Sequence, residues 1–315
     1  MKAFNHTNAK TLAEARTALA GGKANLIAGG TDLIGLLKDN VLPAYPAVLI
    51  NIKTIPNLDF IREEAGMLKI GAATRLADIA ANPAINQKYT ALAQAASRVA
   101  TPHVRDMGTI GGNLAQLHRC WYFRKPENRF NCIRKGGTTC FAMTGDNRYH
   151  SIFGMVNRCI AVHPSDVAPA LIALNAKVVT NKRTIDAENF FDVKLPGNTV
   201  LAVDEIITGI QVPAPPAGAK SAFIKFAIRK SIDFPIVNCA VMVGGGASRI
   251  ALNAVAPKPY RATKAEAAIA GKPINEANAE AAGAAAVEDA KPFPATKYKV
   301  QIAKTLVKRA LLAAV

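Results

Sequence analysis

Four of the chain's five cysteines, Cys120, Cys132, Cys140 and Cys159, fall within one stretch of forty residues, and whatever they hold dictates how that stretch folds. The fifth, Cys239, lies in an apolar run where a small buried thiol is expected. Between His118 and Cys159, eight Lys and Arg residues stand against two acids, Glu127 and Asp146. Such an excess offsets the charge of a thiolate-bound centre, and Gly136-Gly137 adds backbone N–H donors. Four thiolates suit a [4Fe–4S] centre. Structural zinc also takes four cysteines but is usually marked by a tight Cys-x2–4-Cys knuckle, which intervals of eleven, seven and eighteen residues lack. His118, just before the stretch, and His150, within it, could approach the centre but read rather as solvent-exposed loop residues, whereas Trp121, Tyr122 and Phe123 read as a shield against water.

With 315 residues the chain has length for two or three domains and an ample core. No apolar run approaches the roughly 18–20 residues that span a membrane, so no membrane span is expected. The opening residues lack the pattern of a signal peptide, which makes a cytoplasmic site the expectation, or a periplasmic one if a partner subunit carries the export signal. Five cysteines without an export signal argue against a disulfide framework. The net charge of +17 raises nucleic-acid binding as a reading. Against it, the basic residues are spread along the chain, aromatics are 6%, and no helix–turn–helix, zinc finger or aromatic-rich RNA-binding signature occurs. No nucleic acid is expected; anionic cofactors and acidic partner subunits account for the charge.

The first half alternates strand-like and helix-like segments. Asn25-Leu26-Ile27-Ala28 reads as a strand, Gly29-Gly30-Thr31-Asp32 as a turn, and Leu33 to Asp39 as a helix. A glycine turn at that junction offers free N–H groups to a pyrophosphate with no Cβ in the way, although such turns are common without a ligand. Thr109-Ile110-Gly111-Gly112-Asn113-Leu114 is a second glycine turn, and His163-Pro164-Ser165-Asp166 a cap for a helix near Val167. Asn181 to Asn189 reads as a turn and polar connection, and a domain boundary is expected near Phe190 to Gly197. Three strand-like runs (Ser221 to Ile228, Val237 to Gly244, Arg249 to Val255) then precede two or three Ala-rich helices, of which Ala277 to Ala286 reads as a surface helix. This order indicates a separate α+β domain. No His-Glu-x-x-His or Gly-x-Ser-x-Gly motif is present, so hydrolysis has no support.

The order of these three elements, with Phe223 to Val243 and Val255 to Glu266 behind them, resembles the flavin-binding subunit of the xanthine dehydrogenase, aldehyde oxidoreductase and carbon monoxide dehydrogenase family. The resemblance runs over nearly the whole chain. It implies an α+β fold: a two-part FAD-binding domain of the vanillyl-alcohol-oxidase/PCMH type at 1–190, with subdomains 1–55 and 56–190, then a smaller α+β domain at 191–315 with an antiparallel sheet and helices. It implies FAD held along Asn25 to Leu33, with Gly29, Gly30, Thr31 and Asp32 at the phosphates and Thr109, Gly111, Gly112, Asn113 and Asp166 nearer the ring. Arg229 and Lys230 match a basic pair that the family has near its domain interface. In ordinary members the Gly-Gly-Asn turn leads to Ser-Asp within a few residues, but here about fifty intervene, at about 114–162, and hold all four clustered cysteines. A similar insertion with a [4Fe–4S] cluster is found in the flavin subunit of 4-hydroxybenzoyl-CoA reductase and in relatives of a bacterial aldehyde oxidoreductase.

The implied function is an FAD- and [4Fe–4S]-containing electron-transfer subunit of a molybdenum hydroxylase, an oxidoreductase subunit without a substrate-transforming residue of its own. Molybdopterin belongs to a large partner and [2Fe–2S] to a small one. The substrate class is an aldehyde, an N-heterocycle or an aromatic acyl-CoA, and an external acceptor or donor meets the flavin. A non-catalytic assembly subunit, stabilised by zinc or a cluster and carrying a degenerate flavin pocket, is the competing reading.

Overall fold

The computed structural model describes residues 1–193, 197–246 and 248–315. The first unit is a parallel sheet of three short strands, β1 (Asn5–Asn8), β2 (Ala24–Ile27) and β3 (Val48–Asn51), in the order β1-β3-β2. Parallel strands need crossovers, and the helix Leu12–Ala20 supplies the first. Thr11 caps that helix by accepting a hydrogen bond from the Glu14 N–H, and Ala15 and Leu19 pack beneath it with Ile50.

The second unit is an antiparallel sheet of β4 (Ile61–Glu64), β5 (Met67–Gly71), β6 (Lys177–Thr180), β7 (Thr184–Asp186) and β8 (Ile207–Pro213), in the order β4-β5-β8-β6-β7. Helices Leu76–Ala81, Thr90–Ser97 and Val167–Ala173 cover it, closing a core that includes Leu68, Ile70, Leu92, Leu171 and Ile210. Because β8 lies between β5 and β6, a division at 190/191 would cut the sheet, and the sheet ends at Pro213 instead. Residues 194–196 of the expected boundary fall outside the described residues. The connection expected over Asn181 to Asn189 contains β7 and the helix Ala187–Phe190; Thr184-Ile185-Asp186 is an edge strand too polar to announce itself.

The third unit is an antiparallel sheet, β9 (Lys220–Phe226), β10 (Val237–Val243), β11 (Arg249–Asn253) and β12 (Tyr260–Arg261), in the order β12-β11-β10-β9. Every residue of β10 is buried. One face meets the helices Glu276–Ala286 and Tyr298–Leu312, and the other meets the second unit through Ala91, Ala95, Ala170, Ala173, Phe223 and Ala240. Burial on both faces explains its unbroken apolar run. Glu276–Ala286 is a helix on the surface of this unit, turned inward through Ala279, Ala282, Gly283 and Ala286. No helix among the described residues is long and apolar enough to cross a membrane.

Candidate flavin cavity and thiol cluster

A cavity of about 870 Å³ opens where the three units meet. Asn25 to Leu33 line one side, Thr109, Gly112 and Asn113 another, and Asp166 the far end. Thus three segments widely separated in sequence line one space, together with Tyr45 and with Ile232, Asp233 and Phe234 from the third unit. Two glycines shape the first wall for different reasons. A Cβ at Gly29 would stand 1.9 Å from the Met107 carbonyl oxygen, so the turn packs too closely for any side chain. Gly30 has φ +72°, the left-handed region that favours glycine. Gly111 is outside the lining: it packs on Ala72, whose oxygen would lie 2.9 Å from a Cβ. Thr109 caps the helix Ile110–Ala115 by accepting from the Gly112 N–H at 3.2 Å.

At the far end, a buried network joins the second and third units. Asp166 accepts from Lys225 Nζ at 2.6 Å and from Asn238 Nδ2 at 2.7 Å. Both members of the Asp166–Lys225 pair have only 3% of their side chains exposed. Burial pushes the Asp166 carboxyl up, and the Lys225 ammonium pulls it back down. Ser165 donates to Asn113 Oδ1 at 2.5 Å and accepts from the Ala168 N–H, while Asn253 donates to the Ser165 carbonyl. Lys225, Asn238 and Asn253 are polar residues in buried or half-buried strands, and that departure from an apolar pattern was the one signal of their role. Arg229 and Lys230 lie beyond this network; Arg229 pairs with Asp233 on the same loop.

Asp32 corrects one expectation. Its carboxylate turns toward the insertion, accepting from the Leu117 N–H at 3.0 Å and pairing with Arg119 at 2.9 Å and Arg124 at 2.8 Å. An anion is also a poor phosphate ligand, whereas one that fixes two cations on a cavity wall favours an anionic guest. Burial brings Arg119 down to about 10, so it stays charged at neutral pH.

The insertion folds without α-helix or paired strands over 116–162, apart from the short turns Pro126–Asn128 and Ile133–Lys135. Polar ties within the insertion and to the frame supplement its small apolar clusters. Lys135 Nζ reaches the Val41 and Phe123 carbonyls, Arg124 donates to the carbonyls of Leu117 and His118, and Ser151 Oγ to that of Val255. The four cysteines share two adjoining apolar clusters, Cys132 in one, Cys140 and Cys159 in the other, and Cys120 in both. The first cluster includes Leu36 and Leu42, which also line the large cavity. Cys120 lies within electrostatic reach of Cys132 and Cys159, Cys132 of Cys140, and Cys159 of Cys132 and Cys140. Burial pushes Cys120 up to about 12 and Cys159 up to about 11, values at which a thiol is neutral until a metal binds it. Among the described residues, no three His, Cys, Asp or Glu side chains approach closely enough to hold a single metal ion.

Both histidines are buried rather than exposed, His118 at 2% and His150 at 3%. His150 Nε2 lies 3.3 Å from Cys120 Sγ, and His118 packs on Phe123, which is itself fully buried. Their burial follows from the carbonyls and rings around them, which single-letter polarity does not reveal. A second cavity of about 480 Å³ shares Arg119, Pro164, Asp233 and Phe234 with the first and is bounded by Cys120 and His150. The thiol cluster is thereby one residue, Arg119, from the large cavity.

Residues 2–215 match the model of the FAD binding domain in molybdopterin dehydrogenase, and residues 222–314 that of the CO dehydrogenase flavoprotein C-terminal domain. The chain is 36% identical over 282 residues to the aldehyde oxidoreductase FAD-binding subunit of Escherichia coli K12, covering 85% of this chain and 86% of that one. It is 31% identical over 322 residues to the carbon monoxide dehydrogenase medium chain of Hydrogenophaga pseudoflava, covering 99% and 96%. A solved structure of carbon monoxide dehydrogenase from the same organism superposes with a TM-score of 0.76 at 30% identity, covering 99% of this chain and 97% of that one.

Proposed function

We propose a function from one established premise, that this chain belongs to the FAD-binding subunit family of the molybdopterin dehydrogenases. It is accordingly a flavin-binding subunit of an oxidoreductase. The finer proposal is an electron-transfer subunit in which Cys120, Cys132, Cys140 and Cys159 hold a [4Fe–4S] centre beside the flavin. When bound, FAD supplies the step between one-electron and two-electron carriers, and the iron–sulfur centre supplies a further one-electron site.

The residues of the chain do the holding. The Gly29–Thr31 turn offers its backbone to the pyrophosphate, Arg119 and Arg124 stand behind it on Asp32, and Thr109, Gly112 and Asn113 face the middle of the cofactor. Asp166, fixed by Lys225 and Asn238, offers a polar edge to the ring, and Phe234 an apolar one; Gly111 supports the wall from behind. Three buried segments meeting on one cavity also weigh against a degenerate pocket.

The observation that carries the cluster reading is the donor set: four thiols in two adjoining apolar clusters, with Arg134 and Lys135 within electrostatic reach of them and Leu36 and Leu42 shared with the large cavity. Four thiolates also suit zinc, but the sequence lacks the tight Cys-x2–4-Cys knuckle that usually marks a zinc site. Membership of this family supports the further proposal that the chain joins a molybdopterin-bearing large subunit and a small [2Fe–2S] subunit, with an aldehyde, N-heterocycle or aromatic acyl-CoA handled by the large one. Its five unpaired cysteines fit a reducing, cytoplasmic setting. Cys132→Ser is expected to strip iron and labile sulfide while FAD stays bound. Unchanged iron in that variant would refute the ligand set.

A further inference from the structure

Arg134 stands out among the charged residues that flavin binding leaves unused. It follows Cys132 by two positions, it is 3% exposed, and its guanidinium is anchored on one side only. Nη2 donates to the Gly197 carbonyl at 2.8 Å and to Asn198 Oδ1, and lies 3.4 Å from His118 Nδ1. Asn198 is held in turn by donating to the Gln116 carbonyl at 2.9 Å. Among the described residues Nε and Nη1 are buried with no hydrogen-bond partner. Unpaired buried N–H groups on a cation are costly, and an anion satisfies them best. The thiols of Cys132 and Cys159 lie within electrostatic reach of this cation. A fixed Arg fork beside two sulfur ligands is matched to an anionic centre.

We propose that Arg134 is the positioning residue that sets the reduction potential of the centre between these thiols. Its two unpartnered N–H groups belong to a cation within electrostatic reach of Cys132 and Cys159, and its charge stabilises the more negative, reduced state over the oxidised one. Reduction adds one negative charge to the centre, so a nearby buried cation raises the potential. The Gly197 and Asn198 anchors come from the segment just before β8, outside the insertion, which ties the cation to the frame rather than to the loop it serves. The nearby unpartnered nitrogens are His118 Nε2 and both ring nitrogens of His163, which burial keeps neutral. Lys135 is a second buried cation within reach of Cys132 and Cys120, but its Nζ is taken by the Val41 and Phe123 carbonyls, so among the described residues Arg134 is the cation beside Cys132 and Cys159 with N–H groups to spare.

This inference rests on the iron–sulfur reading above. The test compares the full-length chain with Arg134→Gln and Arg134→Lys after anaerobic purification, by iron and sulfide analysis and by an EPR-monitored redox titration. Wild type is expected to hold the centre. Arg134→Gln should hold it at a more negative midpoint potential with altered g-values, and Arg134→Lys, which keeps the charge but not the fork, should fall between the two. Equal potentials in wild type and Arg134→Gln would overturn the proposal. So would loss of the centre from both variants with the fold intact by circular dichroism, since that assigns the arginine to assembly. Wild type without iron and sulfide would instead sink the iron–sulfur reading itself.

Discussion

Gly29 and Gly112 both line the flavin cavity but tolerate a methyl group very differently. At Gly29 the added carbon meets backbone, the Met107 oxygen at 1.9 Å, whereas at Gly112 its nearest neighbour is the Thr109 hydroxyl at 3.1 Å, which has to give by only a few tenths of an ångström. Gly29→Ala is therefore expected to purify without flavin, and Gly112→Ala to retain most of it, as read from flavin released per chain. Glu205 carries a pH dependence of a different kind. Its side chain is 1% exposed, and a hydrogen bond from the Arg183 guanidinium holds it at about 2 instead of 4.5, against the upward push of burial. A carboxylate with a lowered folded-state pKa adds stability that is present above about pH 4.5 and is lost as pH falls toward 2. Glu205→Gln should flatten that part of the acid-unfolding curve, and a curve of unchanged steepness would contradict the assignment.

The strands and helices that could be read in advance are those whose pattern comes from burial alone. Val237–Val243 and Val167–Ala173 are apolar runs of the right length, and each became the element expected. Elements defined by partners were harder. β7 is a polar edge strand recognisable only beside β6, and β8 joins its sheet across a long connection, so the boundary near 190 was set too early. In the site the glycine turns were legible because backbone geometry demands glycine, whereas Lys225 and Asn238 were not, because their partner Asp166 lies about sixty residues away. The insertion shows the same limit, since its order comes from anchors in other elements. Lys299, on the helix Tyr298–Leu312, is fully buried and donates to the carbonyls of His150 at 2.9 Å and Ala254 at 2.6 Å. Burial lowers it to about 7, so folding favours its neutral form and stability rises with pH between about 7 and 10.5. Lys299→Met should abolish that rise and, by leaving carbonyls unpaired at about 1–3 kcal/mol each, loosen residues 149–150, which hydrogen exchange would detect.

Across the whole molecule, three sheets converge on one cavity, and the fifty-residue insertion lies against its wall instead of forming a separate domain. The alanine contact between the second and third units keeps Phe234 and Lys225 aligned with Asp166. Asp32 then joins the first unit to the insertion through Arg119 and Arg124. Under the proposed function part of the net charge of +17 would have a local use, offsetting anionic cofactors in two adjoining sites. The most direct test of the account is the flavin, iron and labile-sulfide content of the wild-type chain purified without oxygen. The account predicts one FAD per chain with iron and sulfide in the ratio of one [4Fe–4S] centre. Flavin with stoichiometric zinc, or flavin with no metal at all, would contradict it.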